Sequence, residues 1–368
     1  MTTGVEDPAS YGRYARHELI PGWRQDRLAD ATAVVAGVGA LGNEVAKNLA
    51  LAGIGRLVLC DPDTVRTSNL SRTVLFRPAD VDCGVPKVTA AAAALRELAP
   101  DVVVEPRQNR LGSGVGLGAL RDAAVVIGCL DSRRARLELL GRCALVEASL
   151  VDGGTTPWGG EVRLRLSVDE PCYGCSLTAH ERSVTDVPWS CGDTADAGPL
   201  GASVAATALI AAWVTLAAIR IVLGEPPEYR LVRIDGLLGL AGPVAVRRDP
   251  ACPHHRPIGT PEPLAVGSDD TVAELLARLP AAMEPLAWND FRPAGSCPHC
   301  GASYSHAPDA GAASRLCGTC RRRLRSPFSR RLRDADPELV LRDLGVAPGE
   351  ILPALLPEGK FRWLRLDH

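Results

Sequence analysis

The sequence predicts an α/β protein with a doubly wound sheet, followed by a cysteine-rich appendage. Three observations carry that reading. Ala33–Asp61 reads as strand, glycine turn, helix and second strand. Further apolar runs that end on polar or acidic residues follow at the spacing of β–α units. After Arg256 the composition changes to a Pro/Gly linker and then to two Cys-x-x-Cys pairs.

The first unit opens on the β-branched run Val34–Val35, which reads as a buried strand. Gly37-x-Gly39-x-x-Gly42 follows at once, and a helical pattern runs from Leu41 to about Ala52, closed by Gly53 and Gly55. Leu57–Cys60 is the second strand and ends on Asp61. Gly37 permits the tight turn and Gly39 lets backbone approach a phosphate. The helix N-terminus offers free N–H groups to an anion, and Asp61 is placed to accept from a ribose hydroxyl. A bare strand–helix turn would need none of these features together. The motif does not select the nucleotide.

Composition bounds the rest. A chain of 368 residues with 46% hydrophobic content has room for two domains, or for one large domain and an appendage. A net charge of -2 gives no global attraction to nucleic acid, and 4% aromatics argues against a base-stacking surface. The opening MTTGVEDPAS lacks a basic-then-apolar signal, so a cytoplasmic protein is expected. Ala202–Ile219 is charge-free and of spanning length, yet rich in Ala and Thr, and Arg220 follows directly. It reads as a buried helix at a core or a subunit interface. Many of the twelve cysteines fall in Cys-x-x-Cys pairs, which favours metal over disulfides.

In chain order, Tyr11–Pro21 reads as a solvated helix carrying Arg13, Arg16 and His17. PDTVRTSNLSRTVLF follows the second strand, where polar residues line the ligand crevice of a doubly wound sheet, so Asn69 and Arg72 are candidate contacts. Gly84–Lys87 turns into a helix over Val88–Leu98. Lys87 at its start opposes the helix dipole, which suggests a phosphate partner, against a plain solvent-facing lysine. Val102–Glu105 is the next strand. Ala123–Asp131 is a buried strand ending in a carboxylate, with Ser132 capping the helix that carries Arg133, Arg134 and Arg136. Beside a phosphate ligand Asp131 suits Mg²⁺; the competing roles are an N-cap or a salt bridge to Arg136. Leu145–Val151 and Gly159–Val168 read as two more strands.

The tail begins with the linker PIGTPEPLAVGSDD and a short helix over Thr271–Leu279, capped by Asp269 or Asp270. Cys297-Pro-His-Cys300 and Cys317-Gly-Thr-Cys320 then form a zinc-ribbon pattern with too few apolar neighbours to fold without metal. Arg321, Arg322, Arg323, Arg325, Arg330, Arg331 and Arg333 follow, suited to an acidic protein face or to phosphates, or simply solvated. The last stretch reads as a small helix–turn–strand unit. The expected division is 1–256, a linker over 257–290, the ribbon with its basic run over 291–333, and a final segment over 334–368.

The succession RYARHEL, GVGALG, LCDPDTVRTSNLSR, GVPK, LDSRRAR, PWGGEV, PCYGC, SCGDTADAGPLG and CPHH resembles the ThiF/MoeB/HesA superfamily of adenylating enzymes, which activate ubiquitin-like and sulfur-carrier proteins. The resemblance spans roughly the first 256 residues and implies a Rossmann-like sheet of the ThiF/MoeB type and an adenylyltransferase. A dehydrogenase would have no use for SNLSR, Lys87 and Asp131 together. Position by position, it implies that Gly39, Ala40 and Asp61 contact the adenosine part of ATP, with Gly37 and Gly42 in the same cofactor-binding turn. It puts Ser68, Asn69 and Arg72 at the phosphates, has Lys87 neutralise their charge, and gives Asp131 to Mg²⁺. Arg16 resembles an arginine supplied across a homodimer. A carboxylate attacking a phosphate meets like charge, so cations and a metal suit this chemistry better than a strong base. Three positions depart from the family pattern: Ala40 replaces a glycine, Thr73 a glutamine, and Leu130-Asp131-Ser132 the usual Thr-Asp-Asn.

The resemblance also pairs Cys172 and Cys175 with a downstream Cys-x-x-Cys, here Cys252-Pro-His254-His255. Spacing selects Cys252 and His255, a Cys₃His set that zinc accepts. Two free thiols without metal are the competing reading. Cys191 lies in the loop VPWSCGDTADAGPLG; in relatives a cysteine there takes the activated protein as a thioester or a disulfide-linked acyl species, and an idle loop cysteine is the alternative. The expected cofactors are ATP, Mg²⁺ and Zn²⁺. The expected partner is a small ubiquitin-like or sulfur-carrier protein ending in Gly-Gly, with no membrane and no required nucleic acid. Adenylation of a peptide or of a carboxylate in modified tRNA, and a non-catalytic nucleotide-binding scaffold, are the rival readings.

Overall fold

The computed structural model describes residues 12–183, 201, 203–305, 307–308, 316–324 and 328–367. They cluster into two compact units, one of residues up to Asn109 with Asp122–Arg256, the other of Arg110–Arg121 with Pro257 onward.

The first unit is an eight-stranded sheet in the order β3-β2-β1-β4-β5-β6-β7-β8. Two short helices, α1 (Ala15–Glu18) and α2 (Gln25–Ala29), precede β1 (Thr32–Ala36). Then come α3 (Ala40–Leu51), β2 (Arg56–Cys60), α4 (Pro78–Asp82), α5 (Lys87–Leu98) and β3 (Val103–Arg107). The chain passes through α6 (Leu111–Gly114) and α7 (Leu117–Asp122) to β4 (Val125–Gly128), α8 (Arg133–Val146) and β5 (Leu150–Thr156). β6 (Gly159–Arg165), α9 (Ala179–Ser183), α10 (Val204–Leu223), β7 (Leu231–Asp235) and β8 (Leu240–Pro243) complete it. Strands β1–β5 pair in parallel, and β5–β8 pair as antiparallel neighbours. The order reverses between β1 and β4, and that reversal opens the crevice where doubly wound sheets take ligands.

Strands β1, β2 and β4 are buried past at most their first residue, because helices cover both faces, whereas the edge strand β3 buries only Val104 fully. Val34, Val35, Leu57, Leu59 and Ile127 are inaccessible to solvent. The apolar run of α10 is a core helix: Ile210, Ala211, Val214, Ala217 and Ala218 are fully buried, and it packs against α3, β5 and β6. It is long and apolar enough to pass a membrane-span test by length and composition, but half of that window is buried inside the unit. It also continues through Arg220 to a left-handed Gly224 cap.

The bounds of two strands differ from the sequence expectation. The strand expected over Leu145–Val151 begins only at Leu150, because α8 holds residues to Val146 and closes on Glu147 in a left-handed conformation. The strand expected to reach Asp131 ends at Gly128, which leaves Cys129–Asp131 as a turn at the sheet's carboxyl edge.

The second unit has β9 (Glu262–Leu264), α11 (Val272–Ala277), β10 (Glu284–Arg292), β11 (Gly295–Ser296), β12 (Ser303–Tyr304), β13 (Ala307–Pro308), β14 (Ser329–Arg331), β15 (Ile351–Leu355) and β16 (Phe361–Leu366). Its main sheet runs β13-β10-β15-β16-β9, with β14 on β10. The final stretch, expected as helix–turn–strand, is a β15–β16 hairpin after short 3₁₀ turns. Helix α11 is capped by Thr271 through a capping box with Glu274, in place of the expected Asp269 or Asp270. Phe291, Leu341, Leu344, Leu352 and Leu366 form its core. Residues 110–121 belong to this unit. The Leu117 amide donates to the Glu350 carboxylate at 2.9 Å, and Gly118 donates to the Gly349 carbonyl at 2.9 Å. A Cβ on Gly116 would lie 2.5 Å from the Gly349–Glu350 backbone, so only glycine fits this close approach.

Candidate functional site

The carboxyl ends of β1, β2 and β4 are knitted together by backbone. Gly37 N donates to Cys60 O, and Cys129 N donates to Ala36 O, each at 2.8 Å. Gly37 has φ +88°, and a Cβ there would lie 2.4 Å from Cys129 O. A Cβ on Gly42 would lie 1.9 Å from Gly37 O, whereas one on Gly39 would meet nothing within 4 Å. The first and third glycines therefore close the turn, and the second leaves open space at the start of α3. Ala40 is the first residue of that helix, so its N–H is one of the free donors there.

Asp61 anchors the turn. Its carboxylate accepts from Val38 N at 2.8 Å and from Asp63 N at 2.9 Å. Burial pushes its pKa up from the ordinary value, and the neighbouring Lys87 cation pulls against that. Lys87 begins α5 and is itself nearly buried, with Nζ 2.8 Å from Asp63 Oδ2 and 3.8 Å from Asp61 Oδ1. The structure thus brings Gly37, Gly39, Ala40, Gly42, Asp61 and Lys87 to one edge, with the Cys129–Asp131 turn beside them. Asp131 is exposed. Neither competing role falls to it: the Ser132 hydroxyl caps α8 through Ala135 N, and Arg136 binds Asp152 at 2.8 Å, together with the Leu130 and Gly153 carbonyls.

Ser68, Asn69 and Arg72 sit on and after the 3₁₀ turn Thr67–Asn69. Asn69 accepts from Arg66 N at 2.9 Å, and Arg72 donates to Ser68 O at 2.5 Å. This stretch is fastened to α3 by Asn43, a fully buried side chain that donates to Val38 O and accepts from Leu75 N. Asn43, Asp63, Arg136 with Asp152, and Tyr173 are the supporting residues that sequence reasoning missed or left without a role. The one readable signal was an Asn on the buried stripe of a helix. Arg16 is exposed on α1. The neighbouring Tyr14 ring lies at Gly53, just beyond the C-terminal end of α3. The glycine turn is at the opposite end of that 12-residue helix, about 18 Å away at the rise of an α-helix. Arg16 is therefore not brought to the turn of its own chain. Cys191 lies outside the described residues.

Two cysteine clusters have metal-site geometry. Cys172, Cys175, Cys252 and His255 place their ligand atoms within 4.8 Å of one another. The Cys172 Sγ atom is 3.6 Å from that of Cys175 and 3.7 Å from that of Cys252, and His255 Nε2 is 3.1 Å from Cys175 Sγ. Tetrahedral zinc with bonds of ~2.3 Å to sulfur needs sulfurs ~3.8 Å apart. His255 Nδ1 donates to Val168 O at 2.5 Å, which turns Nε2 to the cluster, and Arg182 ties Asp249 to the Gly174 carbonyl. In the second unit, Cys297 with Cys320 and Cys300 with Cys317 are each 3.7 Å apart, and among the described residues their core is Cys297, Cys317 and Leu324 with two partly buried neighbours. Both donor sets fit zinc.

Trp158, Tyr173, Arg136, Arg163, Leu237 and Leu240 help to line an open groove over the β5–β8 face. The Tyr173 ring, from the first cysteine knuckle, has the Arg136 and Arg163 guanidinium groups 6.0 and 5.4 Å from its centroid. Arg136 reaches from this floor to the carbonyl of Leu130, next to Asp131.

Comparison with known proteins accords with this architecture. The chain is similar to the adenylyltransferase and sulfurtransferase MOCS3 of Drosophila yakuba, 32% identical over 246 residues, covering 65% of this chain and 52% of that one. It spans about half the length of that relative. It is also similar to the sulfur carrier protein ThiS adenylyltransferase of Escherichia coli K12, 30% identical over 246 residues, covering 66% of this chain and 93% of that one. Among solved structures, E. coli MccB with MccA-N7isoAsn superposes with a TM-score of 0.55 at 19% identity, over 67% of this chain and 75% of that one, a likeness of fold. Residues 11–254 match the ThiF family, and the chain belongs to that family.

Proposed function

We propose that the protein is an ATP-dependent adenylyltransferase that activates the C-terminal carboxylate of a small ubiquitin-like or sulfur-carrier protein. The observation that carries this reading is the meeting of the glycine turn, Asp61, Lys87 and the Asp131 turn at one sheet edge, in a chain that aligns along 93% of a ThiS adenylyltransferase. An oxygen of the partner's carboxylate attacks the α-phosphorus of ATP, the bond to pyrophosphate breaks, and an acyl adenylate remains. Gly37, Gly39, Ala40, Gly42 and Asp61 orient the nucleoside and first phosphate. Ser68, Asn69, Arg72 and Lys87 bind the phosphates and offset their charge. Mg²⁺ bound at Asp131 would supply further positive charge to the leaving pyrophosphate. The groove lined by Trp158 and Tyr173 receives the partner's tail.

The working unit is a homodimer. Its support is an exposed apolar surface on one side of the first unit: Val204, Leu209 and Leu216 on α10 with Leu237, Leu238 and Trp158. The exposure of Arg16 fits a role at the partner's site. Cys191 is the candidate acceptor for a following thioester or persulfide transfer, and the site is cytoplasmic.

ATP–pyrophosphate exchange tests the reading. Exchange stimulated by small proteins ending in Gly-Gly, and lost in Asp131→Ala, is expected. Exchange stimulated only by RNA or by peptides would replace the partner class; the exposed Arg321, Arg322 and Arg323 favour RNA of these two. ATP binding with no exchange under any condition would leave a scaffold.

A further inference from the structure

Beneath the first cysteine knuckle lies a cavity of about 20 Å³, lined among others by Asp152, Arg163, Arg165, Cys172 and Arg230. Its charges can be accounted for one by one. Arg136 pairs with Asp152 at 2.8 Å, Arg163 with Glu161 at 2.9 Å and Arg230 with Glu170 at 2.7 Å. Arg165, at the end of β6, is 2% exposed, and none of its three guanidinium nitrogens has a hydrogen-bond partner. The carboxylates within reach of its charge are Glu170, which is already bound to Arg230, and Glu147, which is exposed. A buried cation with no dedicated counter-charge costs several kcal/mol. A single water would fill such a cavity but brings only two to four hydrogen bonds and no charge.

The missing negative charge is available from the neighbouring cluster. When a divalent cation binds, Cys172, Cys175 and Cys252 each release a thiol proton, and His255 stays neutral. A charge of +2 against three thiolates leaves the centre at -1, with three protons released to solvent. Arg165 and Cys172 face the same cavity, within reach of each other's charge. We propose that Arg165 is the buried counter-cation of the Cys172–Cys175–Cys252–His255 centre. A Cys₃His set matches one arginine; a fourth thiolate would leave a second negative charge uncompensated. The inference stands apart from the adenylation reading, because its readout is metal retention.

The test uses the full chain loaded with zinc and its Arg165→Met and Arg165→Lys variants. A chromophoric chelator competes for zinc, and alkylation mapping reports which cysteines become free. The Cys297–Cys320 centre of the same chain is the internal reference. Arg165→Met should weaken the first centre about 10- to 100-fold, as loss of an outer partner does, and leave the second unchanged. Arg165→Lys should hold zinc much nearer to the parent. Equal zinc affinity in Arg165→Met and the parent would overturn the proposal. So would an equal loss in Met and Lys variants, because shape and not charge would then be what the site reads. If Arg165→Met does not fold, Arg165→Gln takes its place in the same competition. If neither neutral variant folds, a folded, zinc-holding Lys variant supports the proposal and an unfolded one overturns it.

Discussion

Lys87 Nζ sits 2.8 Å from Asp63 Oδ2, so the cation best placed for phosphate chemistry is held by a carboxylate that is itself 62% exposed. In the adenylation proposed above, an incoming phosphate would compete with Asp63 for Lys87. A lysine at a helix N-terminus, unfavourable to the dipole, is stabilised by two acids.

Removing the cation and removing its holder should therefore differ. Lys87→Ala is expected to lower pyrophosphate exchange by about 10²-fold or more, the scale of losing one charge-stabilising group. Asp63→Asn should cost less than tenfold and barely move the unfolding midpoint, because partly exposed pairs contribute about 0–1 kcal/mol. Exchange rates and thermal unfolding of the two variants decide it.

Asn43→Ala should destabilise the first unit by about 1–3 kcal/mol, the cost of leaving Val38 O and Leu75 N without their buried partner. Urea unfolding measures this. Because Asn43 fastens the SNLSR stretch to the glycine turn, the KM for ATP should rise with it.

Thiol reactivity should separate the cysteines outside the metal clusters. Burial pushes the Cys60 thiol up to about 12 and that of Cys143 likewise to about 12. Iodoacetamide at pH 8 should modify exposed Cys83 first and spare both buried thiols, with reactivity at those two rising tenfold per pH unit toward 12. An unfolded thiol ionises near ~8.5. The contribution of each buried thiol is therefore complete below ~8.5 and is lost between there and about 12. Mass mapping against pH and alkaline unfolding check both statements.

Residues 257–368 expressed alone should fail to give a cooperative unfolding transition. Leu111, Leu117 and Leu120 are buried, and Glu350 loses the Leu117 amide without them. Supplying 110–121 through a short linker should restore the transition, and calorimetry on the two polypeptides would show it. A cooperative transition in the isolated tail would contradict the close packing at Gly116.

The parts of the fold that were legible in the sequence are those set by local pattern. β-branched runs, the Gly37–Gly42 spacing and the Ser132 cap each act within a few residues, and the structure places them as read. Zinc geometry was legible for the same reason, since Cys172 and Cys175 lie on one turn and spacing selected His255 over His254. The boundary at Val146–Leu150 was not, because an apolar run of that length suits strand or buried helix equally, and only the packing of α8 decides. The Asp63 hold on Lys87, the Asn43 bridge and the pairing of Arg136 with Asp152 join residues far apart in sequence, so no local periodicity records them. The place of residues 110–121 depends likewise on distant partners, Gly349 and Glu350, more than two hundred residues away.

That last feature also orders events during synthesis. Residues 110–121 leave the ribosome long before the strands they pack with, and at roughly 5–20 residues per second the wait is on the order of 10–50 s. Through that interval Leu111, Leu117 and Leu120 have no partner. The eight-stranded sheet must form while its β3-to-β4 connection is not yet settled. A nascent chain of this protein thus carries a timed vulnerability in the middle of its sequence, one that ends only when Glu350 and Gly349 arrive.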